Sequence, residues 1–265
     1  MAESINPQHS SNESGKSYIR TWRWTWIVFT LLVFSSLIKL GVWQWQRADE
    51  KSERLARIQS FTQTQPLTLD QIDLQQATEH INDLPVKLQG QFLNQYPLLL
   101  DNQTDQGRTG YRVFVPFADE LSNQTVIVNL GWLAGDVDRS KLPEIEAITG
   151  VQTLTGHLRV MQPPLFYRQQ PLSAGWPQRQ PHIDPVFLAE QLKMKLAPVV
   201  IYLDPEVAIG YKKNWNPIVM PPEKHRGYAW QWFSLALAFL SLMIWAGYKN
   251  KGSNHGRWSC SNIQI

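Results

Sequence analysis

Two long apolar stretches, one near each end of the chain, constrain the fold of this 265-residue protein more than any other feature. The first covers residues 22–43, and its 15-residue core at 24–38 has no charged side chain. The second covers residues 228–248, and none of its 21 residues is charged. Because a helix needs about 20 predominantly apolar residues to cross a bilayer, we predict one transmembrane helix in each stretch.

Tryptophan residues mark the ends of both stretches. Amphipathic indole rings favour the level of the lipid headgroups, so their placement supports two membrane spans and makes the lipid bilayer an expected partner. The first stretch is followed directly by WQWQR rather than by a small-residue cleavage site, which favours an uncleaved anchor over a signal peptide. Eight of the 12 tryptophans lie in or beside the stretches: Trp22, Trp24, Trp26, Trp43, Trp45, Trp230, Trp232 and Trp245.

Charged residues around the stretches predict their orientation. Segment 44–227 carries 18 Lys and Arg against 20 Asp and Glu, and a long, nearly neutral segment crosses a membrane regardless of its charges. Glu3 and Glu13 argue against an organelle transit peptide. We therefore predict a bacterial plasma membrane protein with cytoplasmic tails at 1–21 and 249–265 and a periplasmic central domain. The basic flanks behind this prediction are Lys16, Arg20 and Arg23 before the first stretch and Lys249, Lys251 and Arg257 after the second.

The central segment, residues 44–227, predicts an α+β domain with a mainly antiparallel sheet. Its short runs of β-branched, leucine and aromatic residues are bounded by Pro, Gly, Asn or Asp, which is typical of strands. A polar helix is predicted at 44–60, a short helix at 184–194 with Asp184 as its N-cap, and a long loop at 161–182, where five prolines lie. The predicted strands cover residues 85–93, 97–101, 110–117, 124–133, 152–160 and 198–204.

The sequence shows no pattern that indicates catalysis. It contains no nucleophile elbow, P-loop, Rossmann fingerprint or H-E-x-x-H motif, and no two of its six histidines lie at metal-ligand spacing. The single cysteine, Cys260, excludes a disulfide framework and a zinc site built from cysteines. A net charge of +3 is too small and too localised to indicate a nucleic-acid partner. We predict a protein that is not an enzyme.

One histidine stands apart because of its position. His225 lies three residues before the second stretch, at the expected headgroup level. Taken alone, it fits two interpretations: a polar interfacial residue, or an axial imidazole ligand for a haem with Arg226 near the propionates. A cluster at the end of the first stretch also fits two interpretations: interfacial anchoring, or a polar rim that faces a ligand or a partner. Its residues are Trp43, Gln44 and Arg47.

Several motifs in collinear order resemble the surfeit locus protein 1 family, whose members assist the assembly of haem–copper cytochrome c oxidase. LGVWQWQRADEK resembles the family signature G-x-W-Q-x-x-R-x-x-K, although Lys51 lies one residue further on than the signature requires. HRGYAWQWF resembles H-x-x-Y-x-x-x-W-[FY] at the entry to the second helix. The resemblance covers about residues 24–248, and it departs at Leu130, where many members have arginine. Between these motifs it runs through PVKLQGQF, GYRVFVPF, VIVNLGWL and TLTGHLR.

The resemblance implies a non-catalytic assembly factor that binds haem a and assists its insertion into the largest oxidase subunit. It implies oxidase subunit I and haem a synthase as partners, and His225 as the axial ligand of the haem. Two rival interpretations stay open: a haem-free scaffold that stabilises oxidase subunits, and an envelope hydrolase with its site in the loop at 161–182. The other residues that the resemblance places at the haem are Arg226, Trp43, Gln44, Arg47, Tyr228 and Trp232.

Overall fold

The computed structural model describes residues 13–61, 64–74, 79–162 and 170–255. Parts of the predicted tails, at 1–12 and at 256–265 with Cys260, and the part of the predicted loop at 163–169 lie outside the described residues. The chain divides into two compact units. We call Met1–Arg54 with Met220–Ile265 the helical unit, and Leu55–Val219 the barrel unit.

Two long helices form the described part of the helical unit. Helix α1 runs over Glu13–Phe61, and helix α3, the last helix of the chain, runs over Pro222–His255. Within them, Trp24–Phe61 and Pro222–Lys249 are long and apolar enough to cross a membrane, which agrees with the two predicted spans and indicates a membrane protein. The polar helix predicted at 44–60 is the direct continuation of α1.

The barrel unit is a closed barrel of five strands with two further strands on one edge. The ring order is β1-β5-β7-β4-β3, and a pairing between β1 and β3 closes it. Strand β2 pairs with the first part of β3, between Arg108 and Phe114, and β6 pairs with β2. Among the described strands, five pairings are antiparallel, and two, β2–β6 and β4–β7, are parallel. The strands are β1 Pro85–Phe92, β2 Leu98–Asp105, β3 Arg108–Asp119, β4 Gln124–Ala134, β5 Gln152–Arg159, β6 Gln178–Gln180 and β7 Leu196–Leu203.

The central strands are buried on both faces, as their continuous apolar sequences predict. In β3, Val113 and Val115 point into the barrel core, while Phe114 belongs to a second apolar cluster on the outer face. Helix α2, Pro185–Leu192, covers that outer cluster with Leu188. Residues of one strand alternate between the two faces, so both clusters come from the same continuous runs.

A glycine lets the barrel close. Gly90 of β1 pairs with Asp119 of β3, and a Cβ atom at Gly90 would overlap the backbone carbonyl of Ala118. Because this neighbour is backbone rather than a mobile side chain, only glycine fits without a shift of the strands.

The region predicted as a long loop contains a strand. Residues Gln178–Gln180 form β6, which pairs in parallel with Leu98–Leu100 of β2. The side-chain oxygen of Gln178 accepts from the backbone nitrogen of Ser173 at 2.9 Å, so its buried amide is satisfied locally. By contrast, the predicted cap of α2 is confirmed, because Asp184 accepts from the backbone nitrogens of Val186 and Phe187.

Candidate functional site

A hydrogen bond joins the two helices at the predicted haem ligand. Nδ1 of His225 on α3 lies 2.8 Å from Oε1 of Gln44 on α1. With a carbonyl oxygen as acceptor, Nδ1 is the nitrogen that donates, and a neutral ring then carries its lone pair on Nε2. Two residues that the sequence analysis named separately, 181 positions apart, therefore form one unit.

Small residues allow the helices to approach each other beside this hydrogen bond. A Cβ atom at Gly41 would overlap the ring of Phe233, so the missing side chain makes room for that ring. One turn further along α1, Trp45 meets Trp230 edge to face with their centroids 6.3 Å apart. Small residues at a helix pair permit close packing in a membrane, where the hydrophobic effect does not drive association.

Arg226 points toward α1 on the polar side of the same region. Its Nη2 lies 3.3 Å from Oγ of Ser52 and 3.7 Å from a carboxylate oxygen of Asp49. Both charged partners are about half exposed, so this long ion pair is weak and exchangeable. Arg47, in contrast, is paired along its own helix with Glu50 at 2.6 Å. The guanidinium of Arg226 is therefore held only by weak contacts among the described residues.

The three aromatic residues predicted to lie at the haem are on the same two helices as Gln44 and His225. Tyr228 and Trp232 lie three and seven residues after His225, on the same face of α3. Trp232 is half-buried, while Tyr228 and Trp43 are exposed. Among the described side chains, no hydrogen bond or ring contact joins these three residues to His225. They offer flat apolar surface beside the imidazole rather than contacts with it.

The barrel unit contains a second candidate site, which we call the outer pocket. It is a cavity of about 170 Å³ on the outer face of the barrel wall. Strand alternation explains its lining: Val113, Leu130 and Ile201 point into the barrel core, so their neighbours point outward. Among the lining residues are Arg112, Asn129, His157, Tyr202, Asp204 and Trp215.

Aromatic rings and ion pairs define the chemistry of the outer pocket. The rings of Tyr202 and Trp215 pack with centroids 4.8 Å apart, and the guanidinium of Arg159 lies over the Trp215 ring. Arg159 also donates to the buried carboxylate of Asp83 at 3.2 Å. Beside Tyr202, its partner in the register of β5 and β7, His157 has its Nδ1 2.8 Å from Oδ1 of Asp204.

The pocket changes the pKa of several of its groups. The hydrogen bond with Asp204 raises the pKa of His157, although burial opposes the shift. Burial acts to raise the pKa of Asp204, but hydrogen bonds from His157 and Thr155 outweigh it, and the pKa is lowered. Burial lowers the pKa of Arg112 and raises that of Tyr202, since both charged forms lose solvation. The site is therefore partly desolvated and polarised.

The sequence does not predict the outer pocket. Its residues come from the end of α1, at Ile58, and from strands and loops between Asp83 and Pro217, and no short motif connects them. The sequence contains one indication of the pocket, which is polar side chains inside the strands. Arg112 interrupts the apolar run of β3, and His157 and Arg159 lie at alternate positions of β5. Charged side chains at alternate positions in buried strands indicate a polar site on one face. Among the described residues, no group of three His, Cys, Asp or Glu side chains could hold a metal ion.

Comparison with known proteins identifies the family. The sequence model of the SURF1 family matches residues 31–237, which include most of α1, the whole barrel unit and the first half of α3. A SURF1-like protein from Rickettsia felis is 31% identical over 106 residues, a match that covers 39% of this chain and 44% of that relative. The chain thus spans less than half the length of this relative. The family match confirms the resemblance of the motifs, and the protein belongs to the SURF1 family, a family associated with cytochrome c oxidase assembly.

Proposed function

We propose that this protein assists the assembly of haem–copper cytochrome c oxidase by binding haem a between α1 and α3 and delivering it to the largest subunit. The observation that carries this proposal is the hydrogen bond between Gln44 and His225. Histidines that ligate a metal through one ring nitrogen almost always donate the other N–H to an oriented acceptor, which fixes the tautomer. Gln44 has that relation to His225, and Nε2 is then the ligating atom.

A single histidine ligand suits a protein that must release its cargo. The imidazole of His225 would hold a bound haem through its iron, and the haem would supply the exchangeable metal–nitrogen bond. One axial bond gives weaker and more exchangeable binding than two histidines would. Gln44 holds the ring in place before binding, which reduces the ordering cost without adding a second bond to the iron.

The polar and aromatic neighbours of His225 fit the rest of a haem. Among the described residues, Arg226 has a long, exposed contact with Asp49 and a hydrogen bond to Ser52 at 3.3 Å, so its guanidinium can turn to a propionate carboxylate. Trp43, Tyr228 and Trp232 supply apolar surface for the porphyrin plane. Arg47 belongs to the polar rim, where it is held by Glu50. These roles require no catalytic group, in agreement with a non-enzymatic assembly factor.

The proposed setting is the bacterial plasma membrane. The basic flanks of the two spans favour cytoplasmic termini at 1–21 and 249–265, and therefore a periplasmic barrel unit. His225 would then lie at the outer headgroup level. Subunit I of the oxidase and haem a synthase are the proposed partners, because haem a must pass from the enzyme that makes it to the subunit that holds it.

An optical spectrum tests this proposal. The full-length protein is purified in detergent from cells that produce haem a, as wild type, His225→Ala and His80→Ala. His80 is an exposed histidine of the barrel unit, so its replacement is a matched control. We expect Soret and alpha bands in the wild type and in His80→Ala, and their loss in a folded His225→Ala protein.

Two results would contradict the proposal. Retention of the full spectrum in folded His225→Ala would remove this residue as the ligand. The absence of haem from all three proteins, with oxidase subunits still co-purifying, would favour the haem-free scaffold.

A further inference from the structure

We propose that the outer pocket of the barrel unit binds a small organic monocarboxylate, with Arg112 as its anchoring cation. None of the residues that line this pocket belongs to the proposed haem site, so the inference does not depend on haem binding. The inference rests on three properties of the pocket: a shielded guanidinium nitrogen, the charge pairing around it, and the shape of the cavity.

The first property is a buried donor without an acceptor. Nη1 of Arg112 is shielded from solvent and has no hydrogen-bond partner among the described residues. Its Nε donates to the side-chain oxygen of Gln103 at a long 3.3 Å, and Tyr202 and Asp105 act on the guanidinium through space. A guanidinium has five N–H donors and is charged at all physiological pH values, so an unpaired buried one is costly. A ligand anion in the pocket would remove that cost.

The second property is that the neighbouring carboxylates are already paired. Asp83 accepts from Arg159, and Oδ1 of Asp204 lies 2.8 Å from Nδ1 of His157. A third carboxylate, Asp105, accepts from Lys212 at 2.6 Å and from Asn214 at 2.9 Å. These contacts leave the charge of Arg112 without a close carboxylate of its own.

A second cation adds to the positive charge of Arg112 in the pocket. Lys213 also lines the pocket, and its ammonium group donates to the backbone oxygen of Ile209 rather than to a carboxylate. With Arg159, which lies over the Trp215 ring, the pocket has three arginine or lysine side chains against two carboxylates, a small positive excess. Because two carboxylates remain in the lining, this excess matches a monoanion better than a phosphate dianion.

The third property selects the kind of anion. The planar fork of a guanidinium matches a carboxylate, which can accept from two of its nitrogens at once. The rings of Tyr202 and Trp215 form an apolar wall for a flat or short hydrocarbon body. A cavity of about 170 Å³ is smaller than the roughly 300–1,000 Å³ of pockets for drug-sized ligands. A ligand of about the size of benzoate or propionate fits these limits.

Ligand-observed fluorine NMR with 4-fluorobenzoate tests the inference. The full-length protein is placed in phosphatidylcholine nanodiscs, and empty nanodiscs correct for partition into lipid. We expect saturable line broadening by the wild type, with displacement by propionate. The neutral analogue 4-fluorobenzamide should bind at least about tenfold more weakly, because it lacks the charge that Arg112 recognises.

Variants locate the binding. Arg112→Gln should weaken 4-fluorobenzoate binding at least about tenfold, while Lys87→Gln should bind like the wild type. Lys87 is an exposed cation on β1 outside the pocket, so this control removes the same charge. Circular dichroism and thermal unfolding establish that each variant is folded. If Arg112→Gln does not fold, Lys213→Gln replaces it, with a smaller expected loss of several-fold.

Three results would overturn the inference. One is the absence of saturable binding to the wild type. Another is wild-type affinity in the folded Arg112→Gln protein, or in Lys213→Gln where that variant stands in for it. The third is displacement by inorganic phosphate but not by propionate, which would reassign the pocket to a different anion.

Discussion

The helical unit keeps its large apolar side chains on the outside, whereas the barrel unit keeps them inside. Leu237 of α3 is 66% exposed, while Phe117 of β3 is fully buried. The surroundings explain the difference: a bilayer solvates apolar side chains, so the helices need no core of their own, but water does not, so the barrel must build one. The helical unit is consequently free to carry polar groups that pair between its helices, as Gln44 and His225 do.

The largest expected effect comes from the barrel core. Phe117→Ala should lower the free energy of unfolding of the barrel unit by about 3–5 kcal/mol, because it removes a fully buried ring and leaves a cavity. Leu237→Ala, an equally apolar truncation, should leave that free energy unchanged within about 0.5 kcal/mol. Urea unfolding of the protein in nanodiscs, followed by circular dichroism, measures both. Equal losses of unfolding free energy in the two variants would contradict the difference between the two units.

A smaller effect is expected from two glycines that differ in what they face. Gly90→Ala should destabilise the barrel by about 1–3 kcal/mol, because its new Cβ atom meets the backbone of Ala118. Gly41→Ala should cost less, since its Cβ atom meets the ring of Phe233, which can turn away. Thermal unfolding of both variants beside the wild type gives the ranking. A larger loss at Gly41 would mean that the helix pair is packed as rigidly as the barrel.

The pair of His157 and Asp204 makes the stability of the barrel depend on pH. The folded pKa of His157 is raised above its ordinary value of 6.5, so its contribution is complete below 6.5 and is lost as the pH rises through the raised pKa. The folded pKa of Asp204 is lowered below 3.8, so its contribution is present above 3.8 and is lost as the pH falls through the lowered pKa. The pair therefore stabilises the barrel most between pH 3.8 and 6.5.

Replacement of the histidine tests this pH dependence. His157→Gln should remove about 1 kcal/mol of stability near pH 5.5 and less at pH 9, where the wild-type pair has already lost its charge interaction. Urea midpoints at the two pH values, for wild type and variant, provide the measurement. A loss that grows from pH 5.5 to pH 9 would contradict the assigned direction of the shift.

The smallest expected effect concerns a surface ion pair of the helical unit. Glu50→Gln breaks the contact with Arg47, in which both side chains are about half exposed. Exposed pairs of this kind contribute little, so stability should change by less than about 0.5 kcal/mol. Haem content, measured from the Soret band, should also stay at the wild-type level. A large loss of haem would show that Glu50 holds Arg47 in a position that the ligand requires.

The sequence predicted the elements of both units better than their connections. The helices were readable because 22–43 and 228–248 are long and uncharged. The central strands were readable because runs such as VFV and VIV suit a sheet that is buried on both faces. The short strand β6 was missed, because Gln178–Gln180 is polar and its pairing with β2 depends on the tertiary fold.

The same limit separates the two candidate sites. Local motifs pointed to Gln44 and His225 individually, and the resemblance to a family grouped them, but only the fold shows that they share a hydrogen bond. The outer pocket has no local motif: Arg112, His157 and Asp204 come together because β5, β7, β4 and β3 follow one another in one barrel wall. Sequence periodicity cannot predict that convergence, since it reports only on neighbours along the chain.

Chemical rescue of the missing imidazole tests the central claim, that His225 is the axial ligand of a bound haem a, most directly. The full-length His225→Gly protein is prepared in detergent with haem a and titrated with free imidazole, while the alpha and Soret bands are recorded. We predict that the variant alone lacks the wild-type spectrum and that imidazole restores it with saturation, because the vacated space admits the ring that the side chain supplied. A folded His225→Gly protein with an unchanged spectrum, indifferent to imidazole, would contradict the claim.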